Sequence, residues 1–364
     1  MSSAASSQRV DVVVVNWNGR RHVDRLVAAL QALRGPIGEL LVVDGASEDG
    51  SAQDIAAALP QGRIVQLGRN GGPSVARNAG LRAATSARVL LLDNDAYVAP
   101  DVLERLSKAL DSRRDAAIVQ PRSVFADEPA RVHYDGGALH HAGLIALRNF
   151  YVPLAQAAGT GVLEAGCCVS VALLVRKDAL LAVGGFDERM FILFEDLDLS
   201  YRLRAAGWTI MSDEEALCLH GGGTPDLSFR DGPRYPHTRI YHHSKNRWLH
   251  LANNYRTRTL VCCVPSLLAY ETVQLGFALA AGGGGFGGVS AWWRGKRDWW
   301  QARVGWRERR AQLERLRTRN DRDLLVGGPL TLTPAAARGV KHWLARALDG
   351  WMRLWWALLR SFAR

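Results

Sequence analysis

Apolar runs and helical spacings alternate along the first 110 residues. Val10–Val15 (VDVVVV) is a short, nearly continuous β-branched run, the pattern of a strand buried on both faces. His22–Leu33 follows with apolar residues at helical spacing (Val23, Leu26, Val27, Leu30). Glu39–Val43 (ELLVV) predicts a second strand ending at Asp44, Ser51–Leu59 a helix and Arg63–Leu67 a third strand. Pro73–Ala84 predicts a helix with Pro in its first turn, Arg88–Leu92 (RVLLL) a strand ending at Asp93, and Asp101–Leu110 a helix. Strands and helices alternating at this spacing imply an α/β fold with a doubly wound, mostly parallel sheet.

Beyond residue 117 the pattern loosens. Val169–Val175 predicts a strand and Leu197–Ala206 a helix. Residues 259–281 are apolar but carry Pro265, Glu271 and Gln274. A carboxylate in mid-span costs about 2.5–3.5 kcal/mol on insertion scales, so a buried or interfacial helix is expected rather than a membrane span. Gly282–Gly288 (GGGGFGG) lacks the Lys-Ser/Thr of a phosphate loop and reads as a flexible joint. Val340–Phe362 is the clearest amphipathic helix, with Trp343, Ala347, Trp351, Leu354, Trp355, Leu358 and Phe362 recurring every three or four residues. Two domains are expected: 1–258, catalytic, and 259–364, a helical extension.

Charge sharpens that division. The net charge is +11, yet residues 291–364 hold 17 Lys+Arg against 6 Asp+Glu, and 9 of the 12 Trp. The excess therefore lies wholly in the tail. A basic, Trp-rich amphipathic tail points to an anionic membrane surface. Nucleic acid would suit the charge, but no helix-turn-helix or zinc-finger pattern accompanies it. Five cysteines, two pairs vicinal and none in a C-x-x-C, point to reduced thiols in a cytosolic setting. Ser2–Gln8 is polar, and no secretory leader is expected.

In an open parallel sheet, ligands bind beyond the carboxyl ends of the strands. Two predicted strands end there on acids, Asp44 and Asp93-Asn94-Asp95. One such acid is often a turn residue; two on one edge suggest a hard-oxygen site for Mg²⁺ or Mn²⁺ on substrate phosphates. A dinucleotide site is disfavoured, because Asn16-Trp17-Asn18-Gly19 replaces G-x-G-x-x-G after the first strand. A second acidic cluster comprises Asp187, Glu188, Glu195, Asp196 and Asp198. Apolar neighbours suggest that Glu195 and Asp196 are partly buried, which suits a general base. Asp198 is expected to cap the following helix or pair with Arg202. His220 precedes a glycine run, and sequence physics leaves a metal role and a structural role both open. Arg239, Lys245 and Arg247 could contact phosphates, or form a solvated basic helix face.

Several segments in order resemble the glycosyltransferase family 2 enzymes, nearest the bacterial rhamnosyltransferase-like members that build cell-surface glycans. They are Val14–Gly19, Val42–Ser51, Asn70–Pro73 into Ala76–Gly80, Leu92–Asp95, Gly184–Glu188, and Phe194–Leu199 with Arg204–Trp208. The resemblance spans roughly residues 10–225 and implies a type A nucleotide-diphospho-sugar fold. It implies donor contacts from Asn16, Asp44, Arg77, Asp93 and Asp95, with Asp44 at the base. It implies metal ligation by Asp95, Asp93 and His220, and Asp196 as catalytic base beside Glu195. Asp187, Trp208, Lys245 and Arg247 are placed on the acceptor side. Gly45 stands where the family usually has Asn, and the strand-end motif is Asp-Asn-Asp rather than two adjacent acids.

The function implied is an inverting, metal-dependent transfer of a sugar, with rhamnose the first expectation, from a nucleotide-diphosphate donor to an acceptor hydroxyl. The acceptor expected is a glycan or lipid-linked glycan, and the enzyme is expected to be cytoplasmic and peripheral on the inner membrane face. The alternatives are a sugar nucleotidyltransferase, which should carry a Gly-rich basic N-terminal loop, and a non-catalytic nucleotide-sugar-binding protein, which needs no base.

Overall fold

The computed structural model describes residues 9–222, 236–281, 286–302, 304–331 and 339–363. The expected elements of the first hundred residues form within one or two residues of their predicted bounds. Strands β1 (Val10–Asn16), β2 (Ile37–Asp44), β3 (Arg63–Gln66) and β4 (Arg88–Asp93) alternate with helices α1 (Val23–Ala32), α2 (Ser51–Ala58) and α3 (Pro73–Ala83). Val10, Val12, Val13 and Val14 are at most 1% exposed, as the unbroken β-branched run requires. β1 lies between β2 and β4, parallel to both, with Asn16 opposite Asp44 and Val15 opposite Asp93.

The chain continues through β5 (Ala96–Val98), α4 (Val102–Ser112), β6 (Ala116–Phe125), β7 (Val132–Tyr134), β8 (Gly137–His140), β9 (Leu144–Leu147), β10 (Val162–Ala165), β11 (Ala172–Arg176), α5 (Lys177–Ala182), α6 (Glu195–Ala205) and β12 (Thr209–His220). The main sheet runs β10-β12-β6-β11-β4-β1-β2-β3, with β5 on β12 and β7 on β6. Only part of it is parallel. β11 is antiparallel to both β4 and β6, while β12 is parallel to β6. It follows that β1, β2, β4 and β12 all point the same way, and their carboxyl ends share one edge.

Packing divides the chain differently from the expected break at 258/259. One unit comprises 1–136, 149–192 and 208–221, and the other comprises 137–148, 193–207 and 222–364. The first holds the main sheet. The second holds a small sheet, β13 (Leu325–Val326) beside β8 and β9, and the helices α7 (His237–Asn254), α8 (Thr257–Ala281), α9 (Gly287–Ala302), α10 (Trp306–Leu316), α11 (Asp321–Leu324) and α12 (Gly339–Leu359). Helix α6 belongs with these because Asp198 binds Arg202 at 2.6 Å and accepts from Asn254 Nδ2 of α7 at 2.6 Å. The pairing of Asp198 with Arg202 is as expected; its N-cap is Phe194, not an acid.

The expected joint at Gly282–Gly288 is in part helix. Gly287 and Gly288 open α9, and residues 282–285 lie outside the described residues. A Cβ on Gly288 would fall 2.1 Å from the Ala278 carbonyl oxygen, and one on Gly295 2.7 Å from that of Tyr241. These glycines admit close approach of α9 to α8 and α7.

Candidate active site

The carboxyl edge of the first unit gathers the residues expected on the donor side. Asn16, at the end of β1, is fully buried and ties the edge together. Its Nδ2 donates to Asp44 Oδ1 at 2.8 Å and Ser51 Oγ at 2.9 Å, and its Oδ1 accepts from Asn94 Nδ2 at 2.9 Å. Gly19 makes room for that last bond, since a Cβ there would fall 2.1 Å from Asn94 Nδ2. Asp44 is 1% exposed and accepts four hydrogen bonds, from Asn16 Nδ2, Ser47 Oγ, Ser47 N and Gln66 Nε2. Burial alone would raise its pKa, but the bonds from Ser47, Gln66 and Asn16 outweigh it and hold the carboxyl below its usual range. A nucleotide base could reach this carboxylate only by displacing one of those donors.

The Asp93-Asn94-Asp95 segment links β4 to β5, and β5 pairs with the end of β12 so that His220 lies opposite Ala96. That register brings His220 Nε2 to 3.4 Å from Asp95 Oδ2. His220 Nδ1 lies 2.9 Å from His133 Nδ1 and 3.4 Å from the Tyr134 hydroxyl. The tautomer that donates from His220 Nδ1 to His133 leaves the Nε2 lone pair facing Asp95. An oxygen and an imidazole nitrogen about 3–3.5 Å apart have the spacing of adjacent ligands on a small divalent cation, given bonds of about 2.0–2.2 Å. The donor chemistry therefore fits Mn²⁺ or Mg²⁺.

Asp93 does not complete a protein-only metal cluster. Among the described residues, no group of three or more His, Cys, Asp or Glu side chains is gathered to hold an ion. Arg77, 3% exposed, donates instead to Asp93 Oδ1 at 2.7 Å and to the Ser170 carbonyl at 2.6 Å. Burial pushes the Asp93 pKa up, Arg77 pulls it back, and the charge on Asp95 raises it again, to about 6. The guanidinium of Arg77, an expected donor contact, braces Asp93 within the chain. Two protein ligands leave the remaining positions on a cation to phosphate oxygens and water, the usual arrangement for Mg²⁺ at a nucleotide.

Sequence reasoning missed His22. Its Nδ1 lies 2.6 Å from the Tyr97 hydroxyl, and its ring packs where a Cβ on Gly221 would meet it at 3.2 Å. Burial lowers its pKa, against the opposing pull of Asp95. The available signal was its position, one short turn beyond β1 on the ligand-binding edge. The buried ion group of Arg122 with Asp135 and Glu214 was also missed, because its partners lie 13 and 92 residues away.

The acceptor-side expectations separate. Asp187, 1% exposed, caps a short 3-10 turn and binds Arg189 N, Nε and Nη2 at 2.7–3.1 Å. Trp208 is half-buried immediately before β12. Lys245 is half-buried within α7. Arg247 is neither a solvated face nor a free phosphate ligand. It is 1% exposed, donates to the Ala142 carbonyl at 2.8 Å and pairs with Glu271 at 2.7 Å. In the second unit, Glu195 and Asp196 occupy the first turn of α6. Glu195 is 5% exposed and Asp196 half-buried, so Asp196 is the more accessible of the pair. Leu193 and Phe194, just before them, have φ of +69° and +72°. Left-handed backbone at two bulky residues is strained, and the Asn246 Nδ2 bond to the Leu193 carbonyl, 2.9 Å, holds it.

The glycosyl transferase family 2 profile matches residues 11–181, the segment carrying Asn16, Asp44, Arg77, Asp93 and Asp95. Over residues 11–181, a little under half of its length, the chain is similar to glycosyl transferase family 2. An N-acetylglucosaminyl-diphospho-decaprenol L-rhamnosyltransferase of Mycobacterium tuberculosis is 29% identical to this glycosyltransferase over 270 residues, 67% of this chain and 84% of the relative. The dTDP-rhamnosyl transferase RfbF of Shigella flexneri is 23% identical over 272 residues, 73% of this chain and 85% of the relative. Two solved structures share the fold. GalNAc-T7 with UDP, GalNAc and Mn²⁺ has a TM-score of 0.54 at 14% identity, over 69% of this chain and 49% of that one. S. aureus TarS 1-349 with UDP-GlcNAc has a TM-score of 0.51 at 16% identity, over 98% and 90%. The expected type A fold is borne out, with the sheet mixed rather than mostly parallel. The profile match and the relatives also favour sugar transfer from a nucleotide donor over the nucleotidyltransferase and non-catalytic alternatives.

Proposed function

We propose that this glycosyltransferase moves a sugar, rhamnose from a dTDP donor by first preference, onto a hydroxyl of a lipid-linked glycan with inversion at the anomeric carbon. The observation that carries the reading is the approach of Asp95 to His220, 3.4 Å, at the strand-end edge of a family 2 domain. These two residues would hold Mn²⁺ or Mg²⁺ on the donor diphosphate. A divalent cation there would supply neutralisation of the leaving nucleoside diphosphate. Arg77 keeps Asp93 in place beside Asp95. Asp196 takes the proton from the acceptor hydroxyl as that oxygen attacks the anomeric carbon, and the C–O bond to the diphosphate breaks with its electron pair leaving on phosphate. One displacement inverts the centre and needs no covalent sugar–enzyme intermediate.

The sugar and acceptor classes are supported by the names of the Mycobacterium and Shigella relatives. The basic, Trp-rich segment after residue 290 supports a peripheral position on an anionic, cytoplasmic membrane face. Asp196→Asn should abolish transfer while leaving donor affinity within about twofold, because a base acts only in the chemical step. Near-normal turnover in that variant would remove Asp196 from the role. Deleting 335–364 should release the protein from anionic vesicles and impair lipid-linked acceptors more than soluble ones; unchanged vesicle binding would refute the membrane role of the tail.

A further inference from the structure

Helix α8 is long and apolar enough to cross a membrane by length and composition, yet it is two-sided. Its inner face carries Thr259, Cys263, Ser266, Gln274 and Ala278, all buried. Its outer face carries Val261, Val264, Leu268 and Leu279, 45–66% exposed. Thr272 and Gly276, also exposed, fill the same stripe, so the outer positions recur every three or four residues with no charge beyond Arg258 at the first turn. The one acid in the helix, Glu271, is tied into the second unit by Arg247, Lys296 and the Trp248 indole, each within 2.7 Å. Crossing a bilayer would pull Glu271 from these partners, Ser266 from His141 and Thr259 from Asp321, into hydrocarbon.

Helix α12 divides the same way. Met352 and Trp356 are buried, while Trp343, Trp351, Leu354 and Leu358, with Phe362 just beyond, are 38–72% exposed. The two helices run antiparallel. The Ala363 carbonyl accepts from Arg322 N, and the neighbouring Asp321 accepts from Thr259. Seven residues back, Trp356 stacks on His141, whose Nε2 lies 2.9 Å from Ser266 Oγ. Moving back along α12 from 363 to 356 thus moves forward along α8 from 259 to 266. The seam is the Trp355 Nε1 bond to the Cys262 carbonyl, 2.8 Å. Val261 lies one residue before Cys262, and Leu354 one residue before Trp355. Each is turned by about 100° from the seam in the same sense. In an antiparallel pair, equal rotations from the seam lead to the same side. Both apolar stripes therefore face one way.

We infer that α8 and α12 together form an in-plane docking ledge for an anionic phospholipid bilayer, with α8 lying on the membrane rather than crossing it. This rests on the membrane role of the tail proposed above and extends it to a second helix outside the tail. Charge decides the occupant. Arg258 on α8 and Arg346 and Arg360 on α12 are exposed beside the stripes, and α12 lies in the 291–364 segment, which holds 17 cations to 6 anions. A second copy would set this cationic face against its own like, whereas anionic headgroups complement it.

The test uses the full chain, phosphatidylcholine vesicles with and without phosphatidylglycerol, and the variants Leu268→Asp on α8 and Leu354→Asp on α12. Each should lower partition onto the phosphatidylglycerol vesicles by about tenfold or more, with an unchanged melting temperature because both side chains are already exposed. Wild-type protein should be extracted by alkaline carbonate. Release by Leu354→Asp but not by Leu268→Asp would overturn the ledge and leave the tail reading standing. Failure of both variants and of the 335–364 deletion would overturn both readings. Resistance to carbonate would show α8 crossing, and a lipid-free dimer dissociated by Leu268→Asp would show a second copy as occupant; either result would overturn the ledge.

Discussion

Replacing Arg77 with Met removes the cation that holds Asp93. The guanidinium is 3% exposed and the Asp93 carboxylate 26% exposed, 2.7 Å apart. Deleting one partner of a fully buried pair costs about 3–5 kcal/mol, because the other charge is stranded. Water reaches part of Asp93, so about 2–3 kcal/mol is the expected loss here. At about 2–4 °C per kcal/mol for a domain of this size, melting should fall by about 4–12 °C. Asp93→Asn in the same background removes the stranded charge, and the double variant should recover about 1–2 kcal/mol relative to additivity. The cost of Arg77→Met should also shrink as pH falls through about 6, where Asp93 takes up a proton. Native-state hydrogen exchange of the β1 and β4 amides reads the stability of this unit without interference from the other. Additivity within about 0.5 kcal/mol, or a single-variant effect of that size, would refute the bracing of Asp93 by Arg77.

The second unit should be acid-labile. Burial depresses the pKa of His140 and His250 and brings His141 and His242 to about 4. The unfolded chain takes up these protons near pH 6.5 and the folded chain refuses them, so stability falls as pH drops from about 6.5 towards 4, by up to about 1.4 kcal/mol per pH unit for each group; a melting temperature flat between pH 7.5 and 5 would contradict this. Gly295→Ala gains about 1 kcal/mol of helix propensity, but its Cβ would meet the Tyr241 carbonyl at 2.7 Å, so a net loss of about 1–3 kcal/mol is expected in urea unfolding and a gain would deny the close α7–α9 approach. Asp321 is fully buried and pairs with Arg317 at 2.7 Å while accepting from Tyr201 and Thr259. Asp321→Ala should cost about 3–5 kcal/mol, read by thermal melting, and a loss below about 1 kcal/mol would show that Arg317 does not depend on it.

The half of the sheet built from β1, β2 and β4 is legible because strands buried on both faces read as nearly unbroken apolar runs, and β2 and β4 end on acids. β11 begins three residues later than expected, since Val171 N bonds the Val169 carbonyl in a tight turn that apolar character does not reveal. The strands β7, β8 and β9 are three or four residues long, too short for period-two alternation to register. Helix α9 was hidden because its glycines read as breakers, whereas they serve as contact points between helices. At the site, residue types located the edge but not the partners. Asp44 and Arg77 are expected as donor contacts, and the structure adds partners within the chain that spacing does not reveal, Gln66 and Ser47 for the first and Asp93 for the second. Within residues 239–247, Arg247 reads as a phosphate contact or part of a solvated face, because its partner Glu271 lies 24 residues further on, in an apolar helix.

The most direct test is calorimetric titration of Mn²⁺ into the protein saturated with a nucleoside diphosphate, for wild type, Asp95→Asn and His220→Ala. If Asp95 and His220 share one cation on the donor diphosphate, each variant should weaken Mn²⁺ binding by about 10- to 100-fold while melting as wild type does. Equal Mn²⁺ affinity in all three proteins would contradict it.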